Sequence, residues 1–146
     1  MTVTNHLLTG AVIGKFLPLP LAIPAAFASH FILDALPHFG FKSIPNTKSR
    51  KALFISVLVL DFILAVALSI WLISHGRTGQ FLIGLVAYSP DVVWLYHYVI
   101  KHNLGSLEPP KGNRLTQFHF NIQKYERIWG SFVEMFYFAI MLAVVR

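Results

Sequence analysis

Cysteine is absent from the 146 residues, which removes disulfides, thiolate metal ligands and a cysteine nucleophile together. Charge is scarce: Asp, Glu, Lys and Arg make up 12% of the chain, about half the share usual in a soluble domain. Acids are the rarest charged class, six against twelve basic residues. No secretory leader is expected, because "MTVTNH" lacks a basic opening and Lys15 interrupts any apolar core behind it. A serine-hydrolase elbow, an internal repeat and a low-complexity tract are also missing.

What fills the chain instead is apolar: 55% of residues are hydrophobic, and the mean hydropathy is +0.62. Three long runs carry it, "ALFISVLVLDFILAVALSIWLI" (52–73), "FLIGLVAYSPDVVWLYHYVI" (81–100) and "IWGSFVEMFYFAIMLAVV" (128–145). Each approaches the ~20 residues needed to cross a hydrocarbon core of ~30 Å, so an integral membrane protein is expected. The net charge of +6 fits that reading better than nucleic-acid binding. Lys42, Lys48, Arg50 and Lys51 precede the first run, and Lys101, Lys111, Arg114, Lys124 and Arg127 lie between the second and third. The positive-inside rule makes that side cytoplasmic.

Proline and glycine punctuate the chain at "PLPLAIP" (18–24), "PHFGFKSIPNTKSR" (37–50), "SHGRTG" (74–79) and "NLGSLEPPKGNR" (103–114). The segments between are read as helices, since lipid tolerates only helices or closed barrels and no ten-residue alternating segments suggest a barrel. The expected fold is an all-α membrane bundle, a single domain with helices at about 5–16, 21–36, 51–74, 79–101 and 116–145. Its first two helices form a hairpin broken at Pro18 and Pro20. A straight helix would hold His6 and His30 about 36 Å apart at 1.5 Å per residue; a hairpin returns them to one level. The same folding at the turns brings Asp34, Asp61, Asp91 and His119 to roughly one depth.

Those residues are the chemistry of the chain. "ASHFILDALPHFG" (28–40) carries His30, Asp34 and His38 at steps of four on one helical face. Asp61, Asp91 and Glu134 lie inside apolar runs that contain no basic residue. Four acids in apolar helices cost about 10 kcal/mol on insertion scales, so each is a functional candidate by default. A bound cation, protonation or a polar cavity would compensate them. Imidazoles and carboxylates together are the ligand set of zinc and its neighbours, and His6, His30, Asp34, Asp61, Asp91 and His119 are the candidate ligands, enough for two ions. "YSPD" before Val92 is read as a broken helix lining a cavity. His119, Gln123, Arg127, Gly130 and Glu134 follow one helical face, and Glu126 or Glu134 is a candidate general base. The bland readings are contacts between spans for His30, Asp34 and Glu134, and interfacial positions for His38, His75, His97 and His102.

"NHLLTGAVIG", "SHFILDALPH" and "SPDVVW" resemble the bacterial inner-membrane family of metal-dependent hydrolases (YdjM-like), and more distantly zinc-dependent phospholipase C. The matching positions are His6, His30, Asp34, Pro37 and Asp91, over about the first two-thirds of the chain. One departure is that "SPDVVWLYHY" offers only His97 where the family often has a second Asp and a His. The resemblance implies a multi-pass protein of the bacterial inner membrane that hydrolyses a phosphoester or phospholipid. A divalent metal, zinc or manganese, would activate water, with Asp91 as a catalytic residue; Glu134, placed by its helical face, is the second catalytic candidate, as general base. Membrane lipid is the expected partner and nucleic acid is not. The competing class is a proton or cation transporter that uses the same acids as a relay, for which so short a chain would pair into a homodimer.

Overall fold

The computed structural model describes residues 1–40, 48–95 and 114–146, and every regular element among them is helical. The elements are α1 (Val3–Phe16), α2 (Leu19–Asp34), α3 (Lys48–Ser74), α4 (Thr78–Leu95), α5 (Arg114–Ile122), a 3-10 turn (Gln123–Tyr125) and α6 (Gly130–Val145). Lys42, Lys101, Lys111, His97, His102 and the 96–101 end of the expected fourth helix lie outside the described residues.

α1 is the hub and touches α2, α3, α4 and α6. Residues Thr4 to Ala11 are all buried, so half of this helix is enclosed on every side. Its close fit to α4 rests on glycine: a Cβ at Gly10 would lie 2.6 Å from the Ile83 carbonyl oxygen, and one at Gly84 2.7 Å from that of Leu7. Small residues let helix backbones approach in this way. Around the crossing, Leu7, Leu8 and Ala11 pack with Leu68, Leu72 and Val145, while Ala22 and Ala26 of α2 pack with Ile83 and Ala87 of α4.

The hairpin between α1 and α2 closes at Leu17 and Pro18, with Pro20 in the first turn of α2, where a missing N–H costs nothing. It brings His6 onto His30, whose rings stack with centroids 4.1 Å apart. α4 runs unbroken through Pro90, correcting the expectation of a broken helix there. The proline cannot donate to the Val86 carbonyl one turn back, and Ser89 Oγ donates to it instead at 2.8 Å.

The expected helix 116–145 is also corrected, because it divides at 123–129. There the chain leaves the helix to pair with the segment after Pro37: Arg127 N donates to His38 O at 2.9 Å, and His38 and Glu126 form a parallel bridge. A Cβ at Gly130 would fall 2.2 Å from His38 O, so only glycine lets α6 begin against this clasp. His38, expected at an interface, is buried within it and donates from Nδ1 to Leu36 O at 2.7 Å.

Large apolar side chains point outward. Among the described residues of α3 only Asp61, Ala65, Leu68 and Leu72 are buried, while Leu53, Ile55, Leu58, Val59, Phe62, Ile63 and Ile70 are exposed. On α6 Phe132, Met135 and Phe136 are exposed by about 70%. Among the described residues one helix, Ala52–Ser74, is long and apolar enough to cross a membrane; α2 and α6 are apolar but shorter. Three full crossings are therefore not supported, and the 123–129 break is what shortens α6.

Candidate metal centre

Four consecutive residues at the start of α1 gather the acids. Met1 places its ammonium on Asp34 Oδ1, Thr2 N donates to Glu134 Oε1 at 2.8 Å, and Val3 N and Thr4 N donate to Asp61 at 2.8 and 3.0 Å. The first N–H groups of a helix have no partner within it, and Thr2 supplies no side-chain cap. Carboxylates from α3 and α6 fill that role, favoured also by the positive end of the helix dipole. Asp61 and Glu134 are thus accounted for by capping. Asp61, named as a candidate ligand, spends both oxygens on backbone N–H groups, and Glu134, named as a candidate catalytic base, holds Thr2.

The remaining acids have different company. His30 and Asp34 on α2, Asp91 on α4 and His119 on α5 each aim a ligand atom into one space, all four atoms lying within 4.8 Å of one another. His119 Nε2 is 2.6 Å from Asp34 Oδ2 and 3.9 Å from Asp91 Oδ1. His30 Nε2 is 3.3 Å from Asp34 Oδ2, 3.6 Å from Asp91 Oδ1 and 3.1 Å from His119 Nε2. Donors bound about 2.0–2.2 Å from one ion lie at most about 4.4 Å from each other, and each of these separations falls inside that limit. His30, Asp34 and His119 are buried, whereas the Asp91 side chain is 20% exposed. Asp91 is the open edge of the group.

The protons fix what this space accepts. The Ala87 carbonyl can only accept, so His30 Nδ1, 2.9 Å away, carries the hydrogen, and its Nε2 presents a lone pair to the group. A backbone carbonyl holding the far nitrogen is the usual support of a metal-bound imidazole. His119 Nε2 then faces three acceptors, His30 Nε2, Asp34 Oδ2 and Asp91 Oδ1, with at most one proton to share among them, and one donor, the Gln123 amide nitrogen at 3.2 Å. Gln123 Nε2 donates to Asp34 Oδ2 at 3.2 Å, which serves one lone pair of that oxygen. A surplus of acceptors turned inward, in two imidazoles and two carboxylates, suits a divalent cation, and the residues fit one.

His6 stands on the other side of the same carboxylates, with Nε2 3.1 Å from Asp34 Oδ1 and 4.0 Å from Asp91 Oδ2. The structure therefore brings together five of the six candidate ligands and sets Asp61 apart. The sequence reading missed the Ala87 carbonyl, for which a backbone atom leaves no residue-type signal, although its place one turn before Asp91 was readable.

Comparison with protein-family models, with curated proteins and with solved structures finds no match to this chain.

Proposed function

We propose that the chain is a membrane-embedded, metal-dependent hydrolase acting on a phosphoester, with a phospholipid headgroup as the natural form of that substrate. The observation that carries this reading is the buried convergence of His30, Asp34, Asp91 and His119 donors within 4.8 Å. A divalent ion held by these four, zinc or manganese, would acidify water and polarise a phosphoryl oxygen, so that no protein nucleophile is needed. His30 is fixed by the Ala87 carbonyl, and Gln123 steadies Asp34. Asp91 stands where substrate and water enter. Arg114 and Lys124, exposed at the two ends of the segment that carries His119, supply positive charge for an incoming phosphate.

The apolar exterior of α3 and α6 around a polar interior supports a lipid environment, and the resemblance to the YdjM-like family is carried within the same reading, with a multi-pass place in a bacterial inner membrane. Asp91 lies about 20 Å along α4 from its start at Thr78, at 1.5 Å per residue, toward the Leu95 end of that helix. Among the described residues the acids collect toward one end of the bundle and do not line its full length, which favours hydrolysis over an ion relay.

The test is metal content by mass spectrometry on protein purified in mild detergent, beside His30→Ala/Asp34→Ala, followed by a screen of phosphoesters and phospholipid vesicles. Near-stoichiometric zinc or manganese in the wild type, lost with hydrolysis in the double variant, is expected. Folded, correctly inserted wild type with no metal overturns the reading.

A further inference from the structure

The two carboxylates at the centre are each used on both sides. Asp34 turns Oδ2 to His30 and His119 and Oδ1 to His6; Asp91 turns Oδ1 to His30 and His119 and Oδ2 to His6. We propose that His6 Nε2, Asp34 Oδ1 and Asp91 Oδ2 hold a second divalent cation, so that Asp34 and Asp91 bridge a two-metal centre. This rests on the first cation of the proposed function and goes beyond it.

Three observations carry the second position. The separations of 3.1 and 4.0 Å are within the ~4.4 Å available to donors on one ion. The His6 ring is completely buried, and its Nε2 faces both carboxylates of the first position, beside the Met1 ammonium that shares Asp34 Oδ1. The third is the stacking. His6 and His30 lie with centroids 4.1 Å apart and planes 24° from parallel, and both direct Nε2 at the same carboxylate pair. Ions on two neighbouring, nearly parallel imidazoles stand about one stacking distance apart, which is the ~3.5–4 Å separation of two-metal sites that clamp a phosphoryl group. The Met1 ammonium, which lies on Asp34 Oδ1, competes with the second ion for that oxygen.

The sequence shows how the arrangement is built. His6 precedes Gly10 by one turn and Asp91 follows Gly84 by about two, so the glycine crossing that presses α1 on α4 also sets the distance between them. The proline hairpin then lays His30 on His6.

The experiment is a titration of metal-free wild type in detergent with Mn(II), followed by binding stoichiometry and electron paramagnetic resonance. Two equivalents per chain and an exchange-coupled spectrum are expected. In His6→Ala the expected result is one equivalent with an uncoupled six-line signal; His6→Gln, which keeps a polar group of similar size, serves as a second variant should alanine leave the helix poorly folded. One equivalent in the wild type, or coupling that survives loss of His6, overturns the second site and leaves the single-ion reading standing. No bound Mn(II) in folded wild type overturns both.

Discussion

The two ends of the bundle solve one problem with opposite charges. At the start of α1, Asp61 and Glu134 receive the free N–H groups of Thr2, Val3 and Thr4. At the far end the last carbonyls of α6 are the ones in need: Lys15 Nζ donates to Val144 O at 2.7 Å, and Arg77 donates to Val145 O and, at 2.6 Å, to Arg146 O. Acids at helix starts and cations at helix ends are what the dipole asks for. The far end also holds Trp71 under Arg77 at 4.9 Å, with His75 and Ser74 on the Trp71 carbonyl. At the site end, setting aside the capping acids and Glu126, which faces His38 in the clasp, leaves Asp34 and Asp91 among the described acids, with three imidazoles turned toward them. Beyond the Met1 ammonium and Gln123 on Asp34 and the Ala87 carbonyl on His30, that remainder caps no helix, and it is where function is placed.

The hardest way to break this contrast is to remove the remainder. His30→Ala/Asp34→Ala should abolish metal binding in equilibrium dialysis while both ends keep their caps. A subtler version acts behind the imidazole. Widening the α2–α4 contact with Ala87→Val shifts the carbonyl that holds His30 Nδ1, and affinity should fall by about 10- to 100-fold, the usual cost of losing the partner behind a ligand. Affinity unchanged in that variant would mean that His30 needs no such support.

Geometry at the crossing comes next. Gly84→Ala puts a methyl group 2.7 Å from the Leu7 carbonyl oxygen, so α1 and α4 must separate. A loss of about 1–3 kcal/mol is expected from such overpacking, with weakened metal binding because His6 and Asp91 sit on the two helices forced apart. Gly79→Ala meets nothing within 4 Å and should leave thermal stability in detergent and metal affinity alone. Equal behaviour of the two variants would show that the glycine contact does not set the site.

How much of this was legible in the sequence follows from which interactions have a residue-type signature. Pro18 and Pro20 announce a hairpin, and the hairpin carries His6 to His30. Residue spacing about the turns places Asp34, Asp91 and His119 at one level. Asp61 and Glu134 looked the same as the site acids in the sequence, because a carboxylate in an apolar run reads alike whether it caps a distant helix or binds an ion. Their partners are backbone N–H groups, which every residue carries. The 123–129 break was equally hidden: "IQKYERIW" holds no glycine or proline, and the helix yields where the chain after Pro37 pairs with it.

Capping by Asp61 can be separated from ligation directly. Asp61→Asn keeps an oxygen for one N–H but loses the charge and the second acceptor, and the cost should be about 1–3 kcal/mol for a buried group left short of partners, read as a lower melting temperature in detergent. Metal stoichiometry in the folded fraction should stay at the wild-type value. A folded Asp61→Asn protein that loses an ion would return Asp61 to the ligand set and undo the division of labour among the acids.

The smallest effect belongs to the far end. Arg77→Met removes the donors on the α6 carbonyls but keeps a long apolar stem beside Trp71. Helix-end charges are worth about 0.3–1 kcal/mol, and these carbonyls are partly open, so water replaces much of what is lost. A slight fall in melting temperature with unaltered metal binding and activity is expected. The value of so mild a variant lies in the comparison: the two ends are joined through α1, α4 and α6, and if easing the far end changed metal affinity, the site would depend on strain along those helices and not on its local ligands alone.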